Sequence, residues 1–343
     1  MSDVRWRIAV TALLVGMAPC PHRIADARGR ASSIGAPVVR IVPIATFDSL
    51  SLTVKEPGAW SPRGARLALQ APRGQLWVFD TGSSPPSPRF VYDTKSWIHS
   101  CGWSPDGGWL LVLFSIPTPR NGDTLVAVPV DGGQPDTLLA GVDIWPATWS
   151  SDGSIHCRVG GLWRTLPPPA AWKPSASFVP PPLLAAEVGP GLTLRLRPFV
   201  SGQPGERVMV GTYFASGRWF QVLDALPDGS RSLVAVADDT SWARRVVDGR
   251  GRTLLDLRQA GVRFEPTAIS GDGRLIVGYT GDWIDEQGWT RTWLEAADAA
   301  GRWSARVEGG EGGSDPQLSR EGSFIAFRSA KGTTVARLVI EPR

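Results

Sequence analysis

The sequence predicts an all-β fold built from a repeated unit of about 45 residues. Six segments share one pattern, in which an apolar residue and a serine-like position lead into a tight turn and then a short apolar strand. Glycine (39 residues) and proline (30 residues) are abundant, as is typical of a chain with many turns. After the first 27 residues, no long segment has the 3.6-residue apolar period of an amphipathic helix.

The repeated turn motif has a recognisable chemistry. Proline at the first turn position pre-sets φ, aspartate caps the turn through its side chain, and glycine takes a positive φ. The serine hydroxyl is placed to bond a backbone group at the end of the strand, and the apolar run that follows is expected to be a buried strand. The six segments are Trp60-Ser61-Pro62-Arg63-Gly64, Trp103-Ser104-Pro105-Asp106-Gly107, Trp149-Ser150-Ser151-Asp152-Gly153, Leu226-Pro227-Asp228-Gly229, Ile269-Ser270-Gly271-Asp272-Gly273 and Leu318-Ser319-Arg320-Glu321-Gly322.

The spacing of the motifs predicts the blades of a β-propeller. The serine-to-serine distances are 43, 46, 76, 44 and 49 residues when Leu226 is taken as the serine equivalent. A period of about 45 residues with four short strands in each unit is the signature of a four-stranded antiparallel blade. In the second unit the four predicted strands are Trp97 to Trp103, Trp109 to Ser115, Thr124 to Val130, and Thr137 to Leu139.

The 76-residue interval departs from the period. It contains two triple-proline runs, Pro167-Pro168-Pro169 and Pro180-Pro181-Pro182, which cannot be central strands, and we interpret residues 167–190 as an insertion. Two further strands, Leu192 to Leu196 and Val208 to Tyr213, are predicted in the same interval. Six motifs favour six blades, with seven as the alternative.

The first predicted strand has no partner in the first unit. Only two strands follow the last motif, so the last blade lacks its outer strand, whereas Val38 to Ala45 precedes the first motif as an additional strand. Pairing of this N-terminal strand with the last blade would close the ring and remove the exposed edges.

These motifs carry a resemblance to a known family. The core Trp-Ser-Pro-Asp-Gly-x-x-Leu at Trp103 resembles the propeller repeat of TolB, which is also found before the catalytic domain of prolyl-oligopeptidase-type peptidases. Residues 262–296 look like a related extracellular repeat. The resemblance covers roughly residues 50–340 and implies the fold, but it implies little about function, because such propellers host many activities.

The N-terminus has the pattern of an export signal. Arg5 and Arg7 form a short basic region, the ten residues from Ile8 to Met17 are apolar, and Ala25-Asp26-Ala27 is a small-x-small cleavage site. We therefore expect a signal peptide at residues 1–27, a linker at 28–37 and a propeller at 38–343, in a periplasmic or secreted protein. Lipid anchoring at Cys20 and an uncleaved anchor are the alternatives.

Several classes of function lack their motifs. There is no Gly-x-Ser-x-Gly elbow, EF-hand loop or sialidase Asp-box, and the net charge of +4 is spread without the basic stripe of a nucleic-acid-binding protein. Because adjacent strand residues point to opposite faces, His156 with Cys157 does not predict a metal site, and neither this pair nor His99 with Cys101 leads us to expect a metal or a cofactor. Cys101 and Cys157 are either a disulfide or two buried thiols.

One set of residues predicts a ligand site. Each stands four or three residues before the apolar residue that opens a motif, where the innermost strand of a blade begins and lines the mouth of the axial channel. Their carboxylates would favour a cationic ligand or the basic end of a peptide, whereas the simpler interpretation is a solvated polar rim. The residues are Glu56, His99, Trp145, Glu265 and Asp315.

The sequence therefore favours a monomeric, non-enzymatic binding or scaffolding propeller of the cell envelope with a protein or peptide partner, basic in character. The alternative is a carbohydrate-active enzyme, a lyase or glycosidase, that uses channel carboxylates as its acid pair. No catalytic residue is predicted.

Overall fold

The structure is a computed structural model, and its described residues all belong to one unit, Gly35–Arg343. Among these residues there is no helix, and hence none of the length and apolarity needed to cross a membrane. The predicted signal peptide and Cys20 lie outside them. The described residues are 36–52, 59–62, 66–84, 86–116, 122–150, 152–160, 162–172, 184–188, 194–198, 212–215, 218–226, 230–237, 242–285 and 288–342.

The described chain begins with a ten-residue strand, β1 (Val38–Phe47), and continues into two four-stranded antiparallel sheets. The first sheet consists of β2 (Ser51–Leu52), β3 (Arg66–Ala71), β4 (Gln75–Asp80) and β5 (Pro88–Asp93). The second consists of β6 (Ile98–Trp103), β7 (Trp109–Ile116), β8 (Gly122–Pro129) and β9 (Asp136–Val142). The strands of this second blade match the four predicted ones to within a few residues.

The middle of the chain is less regular. The third motif lies in a three-stranded sheet of β10 (Ile144–Trp149), β11 (Ile155–Val159) and β12 (Leu162–Leu166). A separate hairpin of β13 (Leu184–Val188) and β14 (Leu194–Pro198) follows. The fourth motif lies in a five-stranded sheet of β15 (Thr212–Ala215), β16 (Arg218–Ala225), β17 (Arg231–Ala237), β18 (Trp242–Asp248) and β19 (Thr253–Asp256).

This region differs in detail from the prediction. Strand β14 overlaps the predicted strand at Leu192 to Leu196, but its partner β13 was not predicted, so the interval between the third and fourth motifs holds a hairpin in addition to its proline runs. Of the predicted strand Val208 to Tyr213, only Thr212 and Tyr213 lie among the described residues. The preference for six blades over seven stays a prediction.

The last two blades join into one eight-stranded sheet. Its strands are β20 (Glu265–Ile269), β21 (Leu275–Asp285), β22 (Gly288–Asp298), β23 (Ser304–Glu311), β24 (Ser314–Leu318), β25 (Phe324–Ser329) and β26 (Gly332–Glu341), together with β1. The acidic residues Asp282 and Asp285 belong to β21.

Strand β1 closes the ring as predicted. It pairs antiparallel with β26 along nearly its whole length, from Val38 opposite Glu341 to Phe47 opposite Thr333. It also pairs with β23 of the preceding blade, in parallel and over a short stretch at Val39 and Arg40. The N-terminal strand is thus the outer strand of the last blade, and the all-β propeller with antiparallel blades is confirmed.

The motif turns have the predicted geometry. In the second blade the Ser104 hydroxyl donates to Asp106 Oδ1 (2.5 Å), which also accepts the Gly108 amide (3.0 Å), and Ser104 Oγ accepts the Trp109 amide (2.9 Å). Gly107 takes the expected left-handed conformation, with φ of 71°. The same contacts recur in the fifth blade around Ser270 and Asp272.

The third and fourth turns vary this scheme. In the third, Asp152 accepts the amide (2.9 Å) and hydroxyl (2.6 Å) of Ser154, and these bonds hold the pKa of its carboxyl below the usual value. In the fourth, the Leu226 amide donates to the Arg231 carbonyl (2.9 Å). The Ser104 amide makes the equivalent bond to Trp109, so Leu226 does occupy the serine position. Asp228 lies outside the described residues.

Neighbouring blades are joined through the motif tryptophans. The indole nitrogen of Trp103 donates to the Ala59 carbonyl of the first blade (3.0 Å), and that of Trp149 donates to the Gly102 carbonyl of the second (3.2 Å). The indole of Trp60 donates in turn to the Gln317 carbonyl of the last blade (3.2 Å). Each acceptor directly precedes the motif of its own blade, so one contact is repeated from the last blade through the first to the third.

The hydrophobic core lies between blades rather than at one centre. One buried cluster combines Leu76 and Val78 of the first blade with Ile98, Cys101 and Trp103 of the second. Further clusters join the second blade to the third, the fourth to the fifth, the fifth to the last, and the last to the first. Each sheet therefore buries its faces only because another sheet stands beside it.

Replacing Asp106 with alanine tests the turn. We expect the free energy of unfolding to fall by about 1 kcal/mol, because the Gly108 amide and the Ser104 hydroxyl lose their acceptor. Urea unfolding followed by circular dichroism measures the change. Glu321 holds the same place in the last turn with no hydrogen bond to another described residue, so Glu321→Ala should change stability by less than about 0.5 kcal/mol. Equal losses in both variants would contradict a specific role for the Asp106 carboxylate.

Replacing Trp103 with phenylalanine tests the contact between blades. Phenylalanine keeps an aromatic ring but removes the donor to the Ala59 carbonyl and leaves space in the cluster, so we expect a loss of roughly 2 kcal/mol. The control is Trp97→Phe, since the Trp97 side chain is exposed and its replacement should change stability by less than about 0.5 kcal/mol. A Trp103→Phe variant as stable as the control would show that the indole contact does not hold the blades together.

Candidate functional site

The innermost strands of five blades have an irregular register, at or near the beginning of four of them and nearer the end of β16. The register between the first and second strands of a blade shifts at Ile98/Ser100, Ile144/Ala147, Val222/Asp224, Pro266/Ala268 and Ser314/Gln317. Such β-bulges leave extra residues unpaired and re-aim their side chains, and they are over-represented next to functional sites. His99, Trp145 and Asp315 are unpaired residues of these bulges, and Glu265 is the first residue of β20.

The structure places the predicted site residues in two groups. Glu265 and Asp315 belong to one cluster in the last two blades, whereas His99 belongs to another in the second blade. Glu56 lies outside the described residues, and of Trp145 only the strand position is described.

The first group is an arginine–carboxylate cluster formed by Arg244, Glu265, Tyr279, Asp315 and Arg328. Tyr279 of β21 stands opposite Glu265 in the register of the β20–β21 pair. Arg244 of β18 makes an ion pair with Glu265, and Nη1 of Arg328 lies 4.0 Å from Oδ2 of Asp315. Strand β24, which carries Asp315, lies directly beside β20 and β21. Residues from five strands of three successive blades therefore meet at one place.

The pKa of Tyr279 depends on the same neighbours. Burial raises the pKa of its phenol and the Asp315 carboxylate raises it further, while the guanidinium groups of Arg244 and Arg328 oppose the rise. Burial also lowers the pKa of Arg244 to about 10. Tyr279 is therefore a neutral hydrogen-bonding group at neutral pH, and the cluster contains two carboxylates balanced by two guanidinium groups.

The carboxylates of the cluster have arginines beside them. Glu265 is paired with Arg244, and Asp315 has Arg328 nearby. The two pairs differ in strength. The Arg244–Glu265 contact is close and its arginine is mostly buried, whereas Arg328 approaches Asp315 only to 4.0 Å and their side chains are 70% and 43% exposed.

Asp315 also has an unusual backbone. Its φ of 50° lies in the left-handed region, which is uncommon for a residue other than glycine, although aspartate tolerates it better than most. Together with the bulge between Ser314 and Gln317, this conformation fixes how the Asp315 side chain leaves β24. Unusual backbone conformations of this kind cluster at functional sites.

The second group is a His99 cluster formed by His99, Ser115 and Asp123. Nε2 of His99 lies 2.5 Å from the Ser115 hydroxyl, which donates to Asp123 Oδ1 (2.8 Å). Asp123 Oδ2 accepts the amide of Ile144, the first residue of β10 in the third blade (3.1 Å). The serine hydroxyl thus stands between imidazole and carboxylate, and its proton is directed to the carboxylate rather than to the imidazole.

The cysteines and the other metal-ligand side chains give no sign of a metal centre among the described residues. Cys101 and Cys157 are free and buried in different clusters, and burial raises the pKa of the Cys101 thiol to about 12. The two thiols are therefore not joined in a disulfide. No group of three or more His, Cys, Asp and Glu side chains comes together in the described part of the chain, and the absence of a metal or cofactor stays a prediction.

The sequence did not single out Arg244 or Arg328, nor Tyr279 as a site residue. A signal existed for two of them, because Tyr279 and Arg328 follow their turn serines, Ser270 and Ser319, at the same distance on the second strand of a blade. Extending the register of each hairpin would have placed them opposite Glu265 and Ser314. Arg244 has no such signal, since it comes from the third strand of the preceding blade.

Comparison with known proteins finds only distant structural likenesses. No protein-family model matches the chain, and no curated protein matches it. Among similar solved structures is an oligogalacturonate lyase in complex with manganese, at 11% identity over 89% of this chain and 97% of that one, with a TM-score of 0.45. The β-propeller domain of Cps50 (Swd1) from Myceliophteria thermophila has 10% identity over 85% and 99%, with a TM-score of 0.47.

A putative TolB from Agrobacterium tumefaciens is 16% identical, over 90% of this chain and 99% of that one, with a TM-score of 0.43. These likenesses carry no argument about function, and the β-propeller fold rests on the sheets of this chain itself.

Proposed function

We propose that this chain is a non-catalytic binding or scaffolding propeller that holds a protein or peptide partner at the arginine–carboxylate cluster. The partner would present a lysine or arginine side chain to Asp315. One observation carries the proposal: Asp315 is an exposed carboxylate in a fixed backbone conformation, and its only described ion-pair partner is distant and exposed.

Because the Asp315–Arg328 ion pair is weak, a basic side chain of the partner can replace Arg328 beside Asp315 at little cost. An ion pair between exposed side chains contributes about 0 to 1 kcal/mol, because water screens the charges and both side chains lose freedom. A basic side chain brought in by a partner can replace Arg328 at a cost of this size. The closer and more buried Arg244–Glu265 pair would remain in place and support Tyr279 beside the incoming residue.

The cluster also suits a peptide for a second reason. Tyr279 offers a neutral phenol that can bond a carbonyl or carboxylate of the same partner. A segment carrying both a basic side chain and backbone acceptors therefore matches the charges better than a simple cation, which would meet two guanidinium groups. Glu56 would add a further carboxylate if it shares this end of the ring.

The arrangement favours binding over the carbohydrate-active enzyme. Glycoside cleavage by two carboxylates requires that they face each other across the substrate, at about 5 Å to 9.5 Å, with one of them protonated. Here Glu265 makes an ion pair with Arg244 and Asp315 lies 4.0 Å from Arg328, an arrangement that does not present two free carboxylates to a substrate. We expect no reducing ends or unsaturated products when the protein is incubated with polygalacturonate or neutral polysaccharides; steady release that Glu265→Gln abolishes would establish the enzyme instead.

We further propose that the protein acts as a monomer outside the cytoplasm, in the cell envelope or secreted. The proposal rests on the basic and apolar pattern of residues 1–27. Fractionation of cells expressing the full chain, with mass determination of the mature N-terminus, tests the location.

Two substitutions at the cluster should act in opposite directions. With a peptide of alternating lysine and glycine as the probe, Asp315→Asn should weaken binding by roughly fivefold, the equivalent of about 1 kcal/mol. Arg328→Ala should strengthen it by a similar factor, because the competing guanidinium is removed. Isothermal titration calorimetry at low and moderate salt measures both, and affinity should fall as salt rises.

The matched control is Asp131→Asn. Asp131 is 65% exposed and lies near two arginines, Arg66 and Arg89, but on the first two blades. Its replacement should leave the affinity unchanged. If all three variants bind the lysine peptide like the unaltered protein, or if the peptide with glutamate in place of lysine binds better, the proposed site is wrong.

A further inference from the structure

One tryptophan differs from those that join the blades. Trp97 directly precedes β6, and 69% of it is exposed, whereas Trp60, Trp103 and Trp149 are buried. Its carbonyl accepts the amide of Ser115 (3.4 Å), so its backbone is held opposite the end of β7. An exposed indole on a fixed backbone is a flat apolar surface that loses little freedom when a ligand covers it.

The His99 cluster is close to Trp97 in the chain and through its backbone. Trp97 stands two residues before His99, about 7 Å along an extended chain, and its backbone contact is to Ser115, the central member of the cluster. Exposed apolar surface and partly exposed hydrogen-bonding groups therefore occur together at the start of the second blade.

The His99 cluster has hydrogen-bonding sites left for a ligand. Each Asp123 oxygen accepts one described donor, yet a carboxylate offers about four acceptor sites. Nδ1 of His99 has no hydrogen-bond partner among the described residues, and the His99 side chain is 34% exposed. A planar carboxylate and an imidazole that are already oriented by Ser115 can bond two hydroxyl groups of one ligand without rearranging.

We propose that Trp97 and the His99 cluster form a subsite for a neutral sugar residue. One face of a pyranose ring consists of C–H groups and can stack on the Trp97 indole, while hydroxyls at the ring edge donate to Asp123 and bond His99. The Asp123 carboxylate repels an acidic sugar such as a uronate, which selects a neutral one. This subsite is on the second blade and does not depend on the proposed peptide site at Asp315.

The exposed indole of Trp97 makes the subsite better suited to a saccharide than to a charged ligand. A basic group would find one carboxylate that already accepts two donors, and it would gain nothing from the adjacent imidazole. A neutral sugar uses both parts of the site, because stacking and hydroxyl bonding act on the same ring.

The experiment measures binding of cellotetraose, maltotetraose, chitotetraose and tetragalacturonate to the full-length protein by saturation-transfer NMR and calorimetry. We expect at least one of the neutral tetrasaccharides to bind and the tetragalacturonate to bind at least about tenfold more weakly. Trp97→Ala should reduce the affinity for the neutral sugar at least about tenfold, and Trp97→Phe should retain affinity to within about threefold, since a ring remains for stacking.

Phe90→Ala is the matched control, because Phe90 is an exposed aromatic residue (47%) on the first blade, and its replacement should leave sugar binding unchanged. His99→Gln should weaken binding of the same sugar. The circular dichroism spectrum of this variant should match that of the unaltered protein. The inference is overturned if no neutral tetrasaccharide binds, if tetragalacturonate binds best, or if Trp97→Ala binds as well as Phe90→Ala.

Discussion

The structure depends on burial between neighbouring blades, since no sheet here can cover its own faces. Leu76 and Val78 of one blade are buried only because Ile98 and Trp103 of the next lie over them. The tryptophan indole orients this packing, because its one donor must reach the carbonyl that precedes the neighbouring motif. Hydrophobic burial supplies most of the stabilisation and the hydrogen bond selects the relative position of the sheets.

A ring of this kind separates stability from recognition. The motif turns and the tryptophans hold the blades together at one end of the inner strands, and bulges release side chains at the other, where those strands begin. Consequently Asp315 and His99 can change without disturbing the contacts between blades. The two clusters lie in different blades and differ in chemistry: one balances charges that a peptide can exchange, and the other offers an indole beside polar groups.

The fold was predictable because its determinants are local. A turn such as Ser104 to Gly108 contains in five residues the donors, the acceptor and the glycine that fix its geometry. Repetition of this turn extends the same prediction to the whole ring.

The candidate site was only partly predictable. Its strand positions follow from the repeat, but the partner of Glu265 comes from the third strand of another blade, where no sequence spacing indicates which residue arrives. The hairpin β13–β14 lies where the repeat is interrupted, so the same argument does not reach it.

The closing strand has a consequence for how the protein is made. Arg40 of β1 bonds Glu341 of β26, 301 residues away, so β1 must wait until β26 has been synthesised before it gains this partner. Until then β1 has no permanent neighbour, and the growing chain exposes a strand edge to other proteins and to other nascent chains. Loop-closure entropy makes such distant pairing slow. Closure of the ring is therefore expected only after β26 has left the ribosome.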